Sequence, residues 1–293
     1  MFQLDLGPQY APRLTRTVRP LSGGTLAVDF YRTYSEAEAF SHAQVFYQSL
    51  EGDFPGYAEA RESVAGVENL AFRPALELQV AGLSLLAGKP RNEIYLPASF
   101  AFYVVDHLAM GWCALLASQL RVAYSLCRGA VEASIFEVAS SVAPSKFSDL
   151  WGTRAGTGGG VLPQIAGTIP EKQRAMFAIA WDLTKAIGHA SFAPVLSPAQ
   201  VLRDTGGRRV GVMTFGGPYL PVNKEALEHL GFLYGLGATA GLVAMEIALA
   251  PHFGTPEEWR KRYENLMQAT KTVADQALKK LDLDSTAEGL TTG

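Results

Sequence analysis

Arg128 and Glu132 stand one helical turn apart in a stretch that is otherwise apolar or small, and with Arg121 and Ser125 they form a stripe at spacings of four, three and four. On a helix these four side chains share one face, and Arg128 can pair with Glu132 across the turn. A second polar stripe follows: Asp182, Lys185 and His189 run beside the apolar stripe Met176, Ala180, Leu183 and Ile187. If the two helices are antiparallel neighbours, the polar stripes meet. One outcome is a pocket in which His189 acts as acid or base and Arg128 holds an anionic group such as a phosphate. Glu132 is then the third catalytic candidate, and Arg121, Lys185 and Asp182 are the ligand-binding ones. The other outcome is an internal ion-pair network that fixes helix register.

The elements that must position these residues follow from periodicity and punctuation. Leu120, Tyr124, Cys127, Val131, Ile135, Val138 and Val142 make one apolar stripe, and Val122, Leu126, Gly129, Ala130 and Ala133 make a small-residue face opposite it. That helix is expected to be buried on two sides, where charges need partners or a cavity. No proline interrupts Ser99 to Val142, a length that predicts two helices joined by a tight turn near 117–120. Pro144 ends the stretch. Gly152, Gly156 and Gly158 to Gly160, followed by Pro163 and Pro170, predict a mobile loop. A helix from Glu171 to Gly188 comes next.

Elsewhere, Ser35 with Glu38 predicts a capped helix to Leu50, and Tyr57 to Ala87 reads as helical with a break or kink at Pro74. Val201 to Asp204 and Arg209 to Phe215 flank Gly206-Gly207, a hairpin pattern. Asn223 caps a helix to Ala250, and a last helix runs from about Pro256 to Leu281. The fold expected is an all-α helical bundle with an irregular N-terminal segment and a small β-hairpin insertion near 200–216. Its organisation reads as an N-terminal helical elaboration over 1–98, a main bundle over 99–283 and a disordered tail over 284–293.

Composition bounds the function. The 293 residues are 48% hydrophobic and 18% charged, with a net charge of −3; low charge predicts heavily buried helices or a large association surface, and a homodimer is expected. Basic residues are scattered, so no field for non-specific DNA binding exists. Cys113 and Cys127 would lie about 21 Å apart on one helix, and no CxxC or Cys/His ligand spacing occurs, so neither a disulfide nor a metal site is expected and a cytoplasmic location fits. Phe100 to Ser118 and Leu230 to Ala250 approach membrane-span length. However, Asp106 and Glu246 each cost about 2.5 to 3.5 kcal/mol at a bilayer centre, so no membrane partner is expected.

The pattern AxxxxRxxxE at Ala123, Arg128 and Glu132, then KxxxHxS at Lys185, His189 and Ser191, resembles uncharacterised bacterial proteins of HEPN-like helical type, including relatives of abortive-infection proteins. The Pro- and Gly-rich segment ending near Gly217-Pro218 before a long helix is similar to that group too, so the resemblance spans roughly residues 100 to 250. It implies a dimeric helical bundle and a role in RNA cleavage or in stress and phage defence. HEPN ribonucleases place an Arg and a His four to six residues apart, and no Arg here has a His at that distance downstream. The resemblance therefore implies a pair drawn from two helices, Arg128 and His189, in a metal-independent ribonuclease with RNA as partner and no cofactor.

P-loop, nucleophile-elbow, zincin and di-iron templates lack their defining residues. The Gly156 to Gly160 run lacks a GxGxxG register. Gly231, Gly235, Gly237 and Gly241 form two interleaved GxxxG spacings, which fit tight packing within the chain or a dimer seam. Three functional classes stay open: a ribonuclease or defence factor, a non-catalytic small-ligand or anion-binding protein, and a structural dimer module.

Overall fold

The computed structural model describes residue 28 and residues 32–52, 56–89, 94–151, 153, 156–188, 199–203, 209–213 and 224–271. Within them the chain is mostly helical. Helix α1, Glu36–Gln48, starts where Ser35 and Glu38 satisfy each other's backbone: Glu38 N–H donates to Ser35 Oγ at 3.3 Å, and Ser35 N–H donates to Glu38 Oε2 at 2.9 Å. Its inward face is Ala39, Ala43, Phe46 and Tyr47.

Helix α2, Tyr57–Val67, passes through a π-helical turn, Glu68–Phe72, into α3, Arg73–Leu85. The expected break at Pro74 is this wide turn. Pro74 sits at the start of α3, where its missing N–H falls at a change of hydrogen-bond register and the chain continues without a loop. The π turn also aims Glu68 inward, 4% exposed, where Tyr47 Oη donates to it at 2.6 Å and Arg61 Nη2 stands 3.2 Å away. A buried carboxylate with both partners is the pattern that physical chemistry requires.

The long proline-free stretch divides into α4, Tyr95–Leu116, and α5, Leu120–Val142. Ser118 turns the chain with φ 57°, and the N–H groups of Ser118 and Gln119 donate back to the carbonyls of Leu115 and Ala114. These bonds close the end of α4, and so short a link makes α4 and α5 an antiparallel hairpin. Three helices follow: α6, Pro144–Leu150; α7, Gly158–Ile165; and α8, Glu171–Gly188. The backbones of β1, Ala199–Arg203, and β2, Arg209–Met213, run antiparallel with Val201 opposite Gly211. Helix α9, Lys224–Ala248, leads through a 3₁₀ turn, Ala250–His252, to α10 at residues 257–271.

Two apolar clusters share α5 and α9. The larger draws on residues from Ala39 to Leu266, crossing position 98 without interruption, and centres on Phe72, Trp112 and Tyr234. Phe72 stacks on Trp112 with centroids 4.0 Å apart, and Tyr234 meets both edge-on at 5.9 and 5.8 Å. The smaller cluster gathers Val131, Ile135, Phe147, Val161, Phe177, Trp181 and Val243.

The glycines of α9 are consumed within the chain. A β-carbon on Gly231 would lie 2.8 Å from Val64, on Gly235 2.7 Å from Val67, and on Gly241 2.5 Å from Gln79. The seam expected as a possible dimer contact is therefore filled by α2, the π turn, α3 and α4. Helices α4 and α9 are long and apolar enough to cross a bilayer, and 56% and 72% of their most apolar windows are buried against the rest of the chain.

Candidate functional site: an aromatic pocket beside Glu132

The Arg121 stripe runs from solvent inward: Arg121 and Ser125 are exposed, Arg128 and Glu132 half-buried. The expected Arg128–Glu132 pair does not form. The Arg128 guanidinium instead lies over the Trp181 ring of α8, 5.5 Å from its centroid, a cation–π contact. Glu132 Oε1 accepts the Gly158 N–H at 2.9 Å. Gly158 is the first residue of α7, whose N-cap Thr157 supplies no side-chain acceptor, so Glu132 satisfies one of the N–H groups a helix start leaves open.

The glycine run expected as a mobile loop is thus the start of a helix, and close approach explains its composition. The Trp181 indole leaves no room for side chains there: a β-carbon on Gly158 would lie 2.9 Å from Trp181 Cζ3, and one on Gly159 2.7 Å from Nε1. Arg128, Trp181, Gly158 and Glu132 form one connected unit.

Helix α8 meets α5 with Phe177, Ala180, Trp181 and Thr184, all buried, and Tyr124 Oη donates to the Thr184 carbonyl. Asp182 and Lys185 are exposed beside that face. Among the described residues no ion pair joins Arg128 to Glu132 or to Asp182. His189 lies outside the described residues. The structure therefore unites Arg128 and Glu132 through Trp181 and Gly158, and it does not bring Asp182 or Lys185 into the same contacts.

On the α4 side of Glu132 lies a pocket of about 340 Å³, lined by Ser99, Phe100, Tyr103, Gly129, Glu132, Ala133, Phe136 and Trp151. Helix α4 contributes Ser99, Phe100 and Tyr103, and α5 contributes Gly129, Glu132, Ala133 and Phe136, each set at one-turn spacings on facing sides of the hairpin. Trp151, just past α6, closes one end. Phe100, Phe136 and Trp151 meet pairwise edge-on, with centroids 5.5 to 5.7 Å apart. Phe147, buried, backs this group.

Tyr103 stands on the other side, stacked on His107 at 3.6 Å. His107 packs so closely against α5 that a β-carbon on Gly129 would lie 3.0 Å from its Cδ2. Burial holds the His107 pKa below its ordinary value, against a weaker opposing pull from Asp106, so the imidazole backing Tyr103 is neutral near pH 7. Trp151 and Tyr103 are 54% and 48% exposed, which makes them the rims of an opening.

Glu132 is the only charged residue among the eight that line the pocket. One of its oxygens is engaged by Gly158, and the other has no hydrogen-bond partner among the described residues. Phe100, Tyr103, Phe136, Trp151 and Trp181 were not singled out from sequence. The one-turn spacings of Tyr103 from Ser99 and of Phe136 from Glu132 are visible there, but that two such faces oppose each other depends on the hairpin. Among the described residues no group of three His, Cys, Asp or Glu side chains is placed to hold a metal ion.

Compared with protein-family models, curated proteins and solved structures, the chain finds no match.

Proposed function

We propose that this protein is a small-molecule-binding helical module whose site is the pocket between α4 and α5. The observation that carries the reading is the pocket itself: four aromatic side chains and one carboxylate around about 340 Å³. That volume falls within the roughly 300–1,000 Å³ of ordinary ligand sites, which combine apolar walls with few polar groups. Of the three classes open from sequence, non-catalytic ligand binding is the one this lining supports. Arg128, the residue expected to hold an anion, is absent from this lining.

The test is a screen of small amphiphilic molecules followed by the Trp151 indole NMR resonance, with Ser99→Trp as a variant that plugs the exposed lip. The reading expects ligands that perturb Trp151, Tyr103 and Phe136 together and lose their effect in Ser99→Trp. A screen in which no compound moves these resonances overturns it.

A second reading keeps the HEPN-like bundle with a hairpin insertion near 200–216, homodimeric and cytoplasmic, as an RNA-directed stress or phage-defence factor acting through Arg128, Glu132 and His189. The observation in its favour is Arg128, half-buried on Trp181 with no carboxylate paired to it among the described residues. Under this reading Arg128→Ala and His189→Ala each abolish RNA cleavage in a protein that still folds. Wild-type protein inert toward RNA counts against it.

A further inference from the structure

The chemistry of the α4–α5 pocket selects among ligands, and on the reading that it is a binding site we infer that its ligand is a free small organic cation with an alkylated ammonium head. The aromatic faces carry the negative side of a ring quadrupole, and an alkylated ammonium in contact with several such faces is attracted electrostatically while its methyl groups bury apolar surface. Phe100 and Tyr103 line the pocket from α4, Phe136 from α5 and Trp151 from beyond α6, and Phe100, Phe136 and Trp151 touch one another. Among the described lining residues Glu132 supplies the formal charge, and it is negative.

Among the described residues, the cation one turn from Glu132 is turned elsewhere. Arg128 is a helical turn from Glu132 but lies over Trp181 and is absent from the pocket lining, so it does not occupy the carboxylate. Gly158 N–H engages only Oε1. That bond fixes one oxygen and leaves the second without a hydrogen-bond partner among the described residues. A quaternary head suits the lining better than a primary amine: the pocket holds few hydrogen-bond acceptors besides Glu132 and the Ser99 hydroxyl, and an N–H group without an acceptor is costly to desolvate. An anionic ligand would meet the Glu132 charge with no cation among the described lining residues.

The experiment titrates full-length protein by calorimetry with choline and with 3,3-dimethylbutan-1-ol, its neutral carbon isostere. The expected result is binding of choline at least tenfold tighter than the isostere. Glu132→Gln, which keeps an acceptor for Gly158, is expected to reduce that preference several-fold, and Trp151→Ala is expected to weaken choline about tenfold. Trp151 is 54% exposed but also packs on Phe100, Phe136 and Phe147, so a thermal melt checks that the variant folds; Tyr103→Leu provides a second variant with the same expectation. Equal binding of choline and the isostere overturns the cation inference while leaving the pocket as a site. Binding of neither, in a protein whose Trp151 resonance responds to no compound, overturns both. Choline binding that survives Trp151→Ala, Tyr103→Leu and Glu132→Gln unchanged places the ion elsewhere and also overturns the inference.

Discussion

The Glu132 carboxylate accepts a hydrogen bond from the Gly158 backbone N–H at 2.9 Å, joining the middle of α5 to the first residue of α7. The contact places a negative group at the positive end of a helix and at the edge of the aromatic pocket at once.

Replacing Glu132 by Ala removes the acceptor and leaves the Gly158 N–H open in a half-buried place. A loss of about 1 to 2 kcal/mol in unfolding free energy is expected from a charge-assisted bond in that setting. Glu132→Gln retains an acceptor and should lose clearly less. Urea unfolding of the three proteins decides it: an Ala variant as stable as wild type would show that the bond is idle.

Gly159 and Trp181 should behave as a coupled pair. Gly159→Ala drives a methyl group to within 2.7 Å of the indole nitrogen, an overpacking expected to cost about 1 to 3 kcal/mol. In a Trp181→Ala background the same change has room and should cost little. Additive losses in the double variant would mean that the glycine is there for another reason.

Glu137 is expected to make stability fall as pH rises. Its side chain is fully buried in α5, both carboxylate oxygens lack a hydrogen bond among the described residues, and burial raises its pKa well above the ordinary value. The folded protein therefore keeps a proton that the unfolded chain releases near pH 4.3. Between that pH and the higher folded pKa the native state binds more protons, so raising pH weakens the fold. Glu137→Gln should gain on wild type by up to about 1.4 kcal/mol per pH unit across this window. Unfolding curves at pH 5, 6, 7 and 8 check it; a constant difference between the two proteins would refute the ionisation account.

Gly235 tests where the small residues of α9 point. Gly235→Val inserts a branched side chain where even a β-carbon lies 2.7 Å from Val67, and about 2 kcal/mol or more of stability should go with it. Sedimentation should find the oligomeric state of the folded variant unchanged. A variant of normal stability with an altered oligomeric state would put the contact between chains.

The elements that local chemistry specifies were legible in the sequence. Ser35 and Glu38 announce the start of α1 because a capping box needs only residues within one turn. The division near Ala117 follows from helix length, and the polar stripe through Arg121, Arg128 and Glu132 follows from a period of 3.6. What tertiary structure alone decided is which neighbours those side chains meet. Arg128 and Glu132 were in pairing register, yet each found a better partner from a distant segment, Trp181 and the Gly158 N–H. The glycines at 158 and 159 read as a loop because composition carries no record of the indole packed against them. The pocket aromatics carried no signal of their own, because rings from α4, from α5 and from beyond α6 line one pocket only once the α4–α5 hairpin has formed and Trp151 has packed against Phe100 and Phe136. Local propensity acts through the chain within a turn or two; a site depends on contacts between residues tens of positions apart, which one-dimensional order does not contain.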